Sequence, residues 1–379
     1  LADAFAVPDC GELARAGKPR VPRTVAEVGD LRVLHPLDGY HDAFAGAFSL
    51  LSLAEEMEPE VRDAHGRLPG SASRAVQLGM HHVPWVDHWA LDIRARLVAR
   101  FPGLKTPMRR YSHVATLDAD NGLMVLGRPP LRQAGAIFRA VGKGRLREAA
   151  LRMRVIMGLE RDPFDAYDRL EQALRAGLVD RAIVFALMAG GSRYDHASDA
   201  SHPAYARILR RLGSSIELGV HPSYAASRSP GLLAQERSRL EQVASARVRL
   251  SRQHFLRWTV PGTMREAIAS GIVEEHSLGY ADRTGFRAST CTPFLWYDVE
   301  REEPTSLRIW PFAWMDSAMA DRMGAAPEEA VAEARRVGDA VRAVEGTLVT
   351  VWHDRFLSGY GPWQGWPEAF ERILAIAKP

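Results

Sequence analysis

The sequence predicts an α/β fold on a parallel sheet, open or closed into a barrel, with a smaller mixed unit ahead of it. Three features predict it. From Tyr111 onward short apolar, β-branched runs alternate with helical segments; the helices tend to open on Pro and close on Gly; and several runs finish in ionisable residues. In such sheets chemistry gathers at the carboxyl ends of the strands.

Taken in order, Asp42 to Glu56 places apolar and small residues at helical spacing. Asp63-Ala64-His65-Gly66-Arg67 is a polar turn, and Val86 to Phe101 is an amphipathic helix stopped by Pro102-Gly103. A Pro-containing connector, Leu104 to Arg109, divides the chain into a small unit of residues 1–104 and a larger one of residues 105–379. Val114 to Leu117 opens the alternation as a strand. Asp162-Pro163 follows as cap and first residue of a helix ended by Gly177, and Arg181 to Met188 is a buried strand. Pro203 to Leu212 is a helix closed by Gly213, Ile216 to Val220 a strand, Pro230 to Ala246 a helix, and Val248 to Phe255 a strand. The pattern closes with helices over Pro261 to Ser270, Pro327 to Glu345 and Pro367 to Ala377, interleaved with strands over Ile272 to Ser277 and Thr347 to Trp352.

Composition narrows the class. Of 379 residues 46% are hydrophobic and 25% charged, which excludes disordered and fibrous architectures. The net charge is only +3, with basic residues dispersed through helices and loops, so a nucleic-acid partner is not expected. Lys18, Lys105, Lys143 and Lys378 are the only lysines among 49 basic residues, a bias in codon usage more than a binding surface. Cys10 and Cys291 are too few for a disulfide framework or a cysteine-based zinc site. The longest apolar stretch, Ala43 to Ala54, falls short of the ~20 residues that cross a bilayer. With no basic segment ahead of an apolar core, the expected location is cytoplasmic.

The strand-end rule selects a small set of groups. Asp118 and Asp120 finish the first strand, His221 another, Arg252 and His254 lie in Arg252-Gln253-His254-Phe255, and His353 and Asp354 end the last strand. Residues two apart on a strand face the same side, so the Asp118 and Asp120 carboxylates can converge on one cavity. Acids with histidines from other strand ends are what an oxygen- and nitrogen-ligated divalent metal requires. Each also has a plainer reading: Asp120 before Asn121-Gly122 is good turn chemistry, and Arg252 suits a structural ion pair.

Thr116-Leu117-Asp118-Ala119-Asp120, the strand-end His221, Arg252 and Val349-Thr350-Val351-Trp352-His353-Asp354 together resemble the ordered motifs of the NodB-type polysaccharide deacetylases, carbohydrate esterase family 4. The likeness runs from about Tyr111 to the C-terminus. Gly219-Val220-His221-Pro222-Ser223-Tyr224, Arg252-Gln253-His254-Phe255 and Gly279-Tyr280-Ala281-Asp282 through Gly285-Phe286-Arg287 look like a divergent bacterial branch with an extra N-terminal domain of unknown function, which the Asp42 to Arg67 region resembles.

This resemblance implies a distorted, incomplete β/α barrel and metal-dependent removal of an acetyl group from a saccharide or glycoconjugate. It implies Asp118 as general base, Asp120 and His221 as ligands of one divalent ion, zinc by preference, and His353 as general acid. Arg252 would orient Asp118, and Asp282 would support His353. Tyr224, Arg287 and Trp310 would contact substrate. The family's second ligand histidine is replaced by Ala225; His254 is the substitute, with His113, His196 and His202 as rivals. Ala225 also favours an alternative, a non-catalytic carbohydrate-binding or scaffold barrel, and hydrolysis of a cyclic ureide is a third reading. Trp296, Tyr297, Trp310, Trp314, Trp363 and Trp366 are candidates to stack on sugar rings.

Overall fold

Two short hairpins begin the computed structural model, which describes residues 7–13, 19–57, 61–190 and 192–379. Strand β1 (Ala26–Val28) pairs antiparallel with β2 (Leu31–Val33) through the turn Gly29-Asp30, and β3 (Pro36–Leu37) with β4 (Tyr40–His41) through Asp38-Gly39. The helices Ala43–Leu51 and Trp85–Arg100 pack against them around Trp89, which is buried and donates from Nε1 to the Arg32 carbonyl at 2.8 Å. Gly46 lets the first helix lie on that indole: a Cβ there would stand 2.9 Å from the ring.

The remaining strands form one sheet. They are β5 (Ser112–Ala119), β6 (Arg181–Leu187), β7 (Glu217–His221), β8 (Leu250–Ser251), β9 (Glu274–Glu275), β10 (Phe294–Asp298), β11 (Glu303–Ile309), β12 (Trp314–Met315) and β13 (Thr347–His353). Across the sheet the order is β10-β11-β9-β8-β7-β6-β5-β13-β12, parallel throughout except for the β10–β11 hairpin. From β5 through β9 and from β12 to β13, each parallel crossover steps one place the same way across the sheet. Crossovers of one hand stepping one way put their helices on one face, so the other face must curl inward to be covered. The result is a distorted β/α barrel left open at one seam, between β11 and β12. Residues 310–313 bridge the seam: Phe312 N–H donates to the Leu278 carbonyl at 2.9 Å and Ala313 N–H to that of Val349 at 3.4 Å.

Burial explains which strands the sequence reveals. Ala182 to Leu187 are each no more than 2% exposed, the continuous apolar run of a strand covered on both faces. By contrast, Val248 to Phe255 is apolar enough to read as a strand, yet only Leu250–Ser251 pairs. Beyond it Arg252 and Gln253 fill the barrel, and Phe255 and Leu256 turn away with φ of 60° and 50°. Asp162 also differs from expectation. Its helix starts later, at Asp168, because the carboxylate is spent on another loop, accepting from the amides of Met124 and Val125 at 2.8 Å and of Leu126 at 3.1 Å. The helices Pro130–Gly142 and Leu146–Ile156 and the β10–β11 hairpin were not expected from the sequence.

The N-terminal segment docks on the barrel through polar side chains. Asp87 accepts from Thr290 Oγ1 at 2.8 Å and the Cys291 amide at 3.0 Å, and the Phe286 amide donates to the His81 carbonyl at 2.7 Å. Arg287 is buried and does not reach the strand-end cavity; it donates from Nε to Glu56 Oε1 at 2.8 Å and from Nη2 to the Leu68 carbonyl at 2.9 Å. Its place is a clamp between the two segments, not a substrate contact. Removing one member of a buried pair strands the other charge. Arg287→Met is therefore expected to cost about 3 kcal/mol, the lower end of the range because Arg62 still lies 3.7 Å from Glu56, and a urea midpoint measures it. No helix of the described residues is long and apolar enough to cross a membrane.

Candidate metal centre

Strand register brings the strand-end groups together. His353 on β13 is the direct register partner of Asp118 on β5, and His221 ends β7 two strands away. They surround a cavity of about 390 Å³ whose wall includes Asp118, Asp120, His221, His254, His353 and Arg355.

Three donor atoms face one point. Asp120 Oδ1 lies 3.2 Å from His221 Nε2 and 3.5 Å from His254 Nε2, and one ligand atom from each residue falls within 4.8 Å of the others. Both imidazoles are oriented from behind. His221 Nδ1 faces the Arg252 carbonyl, and His254 Nδ1 faces Asp195 Oδ1 at 3.0 Å. A carbonyl and a carboxylate only accept, so both Nδ1 atoms carry the proton, and in the neutral rings each Nε2 is left free to ligate. Asp120 Oδ1 is itself buried without a hydrogen-bond partner. One aspartate oxygen with two imidazole nitrogens, all converging on one point, suits a first-row divalent ion. The donor set thus fits such a metal, and His254, the substitute expected for Ala225, is one of its three members. Of its rivals, His113 is buried against Thr350 Oγ1 at 3.1 Å, His202 caps the helix Pro203–Ser215, and His196 lines the cavity outside the cluster.

Two further groups flank this centre. Asp118 Oδ1 accepts from Arg252 Nη1 at 2.8 Å, while Oδ2 points toward His221 Nε2 at 3.9 Å. Arg252 is wholly buried, spanning the barrel to Thr116 Oγ1 at 2.7 Å and the His276 carbonyl at 3.0 Å. On the other side His353 Nε2 stands 3.8 Å from Asp120 Oδ2, and its Nδ1 is paired with Asp316 Oδ1 at 2.5 Å. Burial alone would lower the His353 pKa, but the Asp316 carboxylate outweighs it and holds the imidazole up at about 9. Arg355 Nη1 donates to Asp120 Oδ2 at 3.1 Å. Asp354 grips the turn after Asp120, accepting from the amides of Asn121 at 2.9 Å and Gly122 at 2.8 Å, so turn chemistry and candidate ligand coexist there.

Other sequence expectations are corrected. The carboxylate behind His353 is Asp316, at the end of β12; Asp282 pairs with Arg283 at 3.0 Å beside a different hollow. Tyr224 stands behind the cavity wall, stacked on Tyr194 at 4.0 Å between ring centres, and it is Tyr194 that faces the cavity. Trp310 stacks on His276 inside the barrel beneath Arg181, away from the site. Trp296, Trp314 and Trp366 are buried, Tyr297 packs on Phe48 and Trp363 on Phe356, so none of this set offers a sugar platform in the cavity. Asp195, Asp316 and Arg355 escaped the sequence reading. Asp316 follows a strand of two residues, and Asp195 sits in a long loop after β6.

The N-terminal segment reaches this centre. Arg67, held by Asp63, donates from Nη1 to the Phe255 carbonyl at 2.7 Å, and Arg257 Nε donates to the His65 carbonyl at 2.8 Å. These bonds brace the left-handed Phe255-Leu256 turn beside His254, a conformation costing about 1–2 kcal/mol per residue. Asp195 does the same work from the opposite side of His254. Asp195→Asn is expected to weaken metal affinity by roughly 10- to 100-fold, measurable by competition with a chromophoric chelator.

Residues 25–102 match a family of unknown function, DUF7033. No curated protein matches the chain. Among solved structures the chain is similar to a Mycobacterium smegmatis protein that carries a polysaccharide deacetylase name, at 16% identity and a TM-score of 0.46 over 72% of this chain and 85% of that one. An allantoinase is similar at 12% identity and a TM-score of 0.42, over 72% and 88% of the two chains. A family 4 carbohydrate esterase from Streptomyces lividans, solved with acetate, is similar at 12% identity and a TM-score of 0.32, over 56% and 81%.

Proposed function

We propose that this protein is a divalent-metal-dependent hydrolase that removes acetyl groups, N-acetyl above all, from a saccharide or glycoconjugate. Residues 105–379 supply the catalytic barrel and residues 1–104 the smaller unit braced against it. The observation that carries the reading is the convergence of Asp120 Oδ1, His221 Nε2 and His254 Nε2 between a carboxylate held by arginine and an imidazole held by carboxylate. The saccharide comes from the sequence resemblance. Ala225, the feature that favoured a non-catalytic barrel, loses its force with His254 in the cluster.

Asp120, His221 and His254 would hold a divalent ion, zinc by preference, which would supply Lewis acidity toward a carbonyl and water. The chain's own groups do the rest. Asp118 is the base: Arg252 holds Oδ1, fixing the carboxylate with Oδ2 turned to the metal side, where it takes a proton from attacking water. His353 is the acid. Asp316 keeps Nδ1–H engaged and the ring charged, so Nε2–H can protonate the departing amine. Arg355 holds the second Asp120 oxygen in place.

The test is acetate release from N-acetylated oligosaccharides and O-acetylated xylan fragments and ring-opening of allantoin to its ureido acid, each with metal content. The proposal expects release from an acetylated saccharide, abolished by chelation and restored by a first-row divalent ion. Activity on allantoin alone would make the amide a ureide. Saccharide binding with no acetate release from any of these saccharides would favour the scaffold reading.

A further inference from the structure

The catalytic cavity continues sideways into a second hollow. Asn121 and His196 line both, and the second encloses about 290 Å³ against the helix Pro130–Gly142. Its wall carries Arg128, Arg132, Arg139 and Arg152 and no carboxylate. Arg152 is already paired, with Glu148 at 3.2 Å and Gln133 Oε1 at 3.1 Å. Of the others, Arg128 lies in the field of the Asp354 and Asp162 carboxylates, so the uncompensated charge is that of Arg132 and Arg139. Arg128 donates only to the carbonyls of Asn121 and Leu123, and Arg132 and Arg139 make no ion pair among the described residues. Arg132 and Arg139 lie seven residues apart on one helix, hence on one face, and both are exposed. Past Arg139 a smaller hollow of about 140 Å³ adds Lys143 and Arg145, with Glu148 as its one acid. The His196 pKa is lowered, first by burial and then by Arg132 and Arg128, so the positive field reaches the mouth of the catalytic cavity.

Two unpaired guanidinium groups on one face of a hollow suit an oxyanion, since arginine forks match carboxylate and phosphate geometry. We propose that this groove binds an anionic group of the substrate, a uronate carboxylate or a phosphate carried on a sugar next to the one deacetylated. The inference rests on the hydrolase reading for what happens in the main cavity, but it concerns a separate set of residues. It names the substrate class as an acidic or phosphorylated N-acetylated glycan.

Binding is measured by calorimetry on the metal-loaded full chain carrying Asp118→Asn, which holds ligand without turning it over. Three probes are compared: neutral tetra-N-acetylchitotetraose, its 1-phosphate, and a tetrasaccharide alternating glucuronate with N-acetylglucosamine. At low salt at least one anionic probe is expected to bind about tenfold more tightly than the neutral one, the size two exposed charge pairs give. Adding Arg132→Gln and Arg139→Gln together should erase that preference, as should ~1 M salt. Both positions are exposed, so the fold should tolerate the change; the milder single variant Arg132→Gln should lower the preference part way. Preference for the phosphate alone or for the uronate alone identifies the anion and supports the groove. Equal affinity for all three probes, or a preference that survives the double substitution, overturns it. Acetate release by the unsubstituted chain separates the two ideas: release without anion preference sinks the groove alone, and anion preference without release sinks the hydrolase alone.

Discussion

Asp118→Asn is expected to lower kcat by about 10²- to 10⁴-fold while leaving the metal bound, because it removes the base and no ligand atom. Asp120→Asn should lose both. Its Oδ1 is the one carboxylate oxygen facing both imidazole nitrogens, and an amide there offers a weaker donor with no charge. The two aspartates are two residues apart on one strand end, so any general damage to the fold should strike both variants alike. Metal content by mass spectrometry, paired with acetate release, separates them. Metal lost in Asp118→Asn and retained in Asp120→Asn would reverse the assignment.

The second large effect lies on the opposite side of the centre. His353→Ala should reduce kcat by about 10²- to 10⁴-fold at nearly unchanged metal content, since a general acid acts on the leaving group. Asp316→Asn should act through the same step. It removes the charge that holds His353 protonated and leaves an amide that can pair with either ring tautomer. A kcat loss in Asp316→Asn close to that of His353→Ala, with KM little changed, is the expected result. Asp282→Asn should leave kcat within about twofold, as its carboxylate is spent on Arg283.

How much of this was legible in the sequence depends on what each residue had to say locally. β5, β6, β7 and β13 are long enough for buried apolar runs to betray them, and their last residues named Asp118, Asp120, His221 and His353. β8 and β9 were expected, though as longer strands than the two residues that pair, while β12, also of two residues, carries no periodicity. Asp316, a strand-end acid like the others, was hidden because its strand was. Asp195 stands in a loop, where sequence spacing says nothing of which histidine it will meet. Arg287 was singled out by resemblance and Trp310 by chemical type, and neither tells a buried clamp or a half-buried indole stacked on His276 from a substrate contact; only packing does. Asp63 and Arg67 looked like an ordinary polar turn, and locally they are one. Their reach to the Phe255 carbonyl is a property of the tertiary fold.

Anomalous scattering from a crystal of the full chain grown with zinc tests the central claim most directly. One strong peak is expected, about 2.0–2.2 Å from Asp120 Oδ1, His221 Nε2 and His254 Nε2, and it should disappear in Asp120→Asn. A cluster that stays free of metal at saturating zinc, or a peak bound without His254, would contradict it.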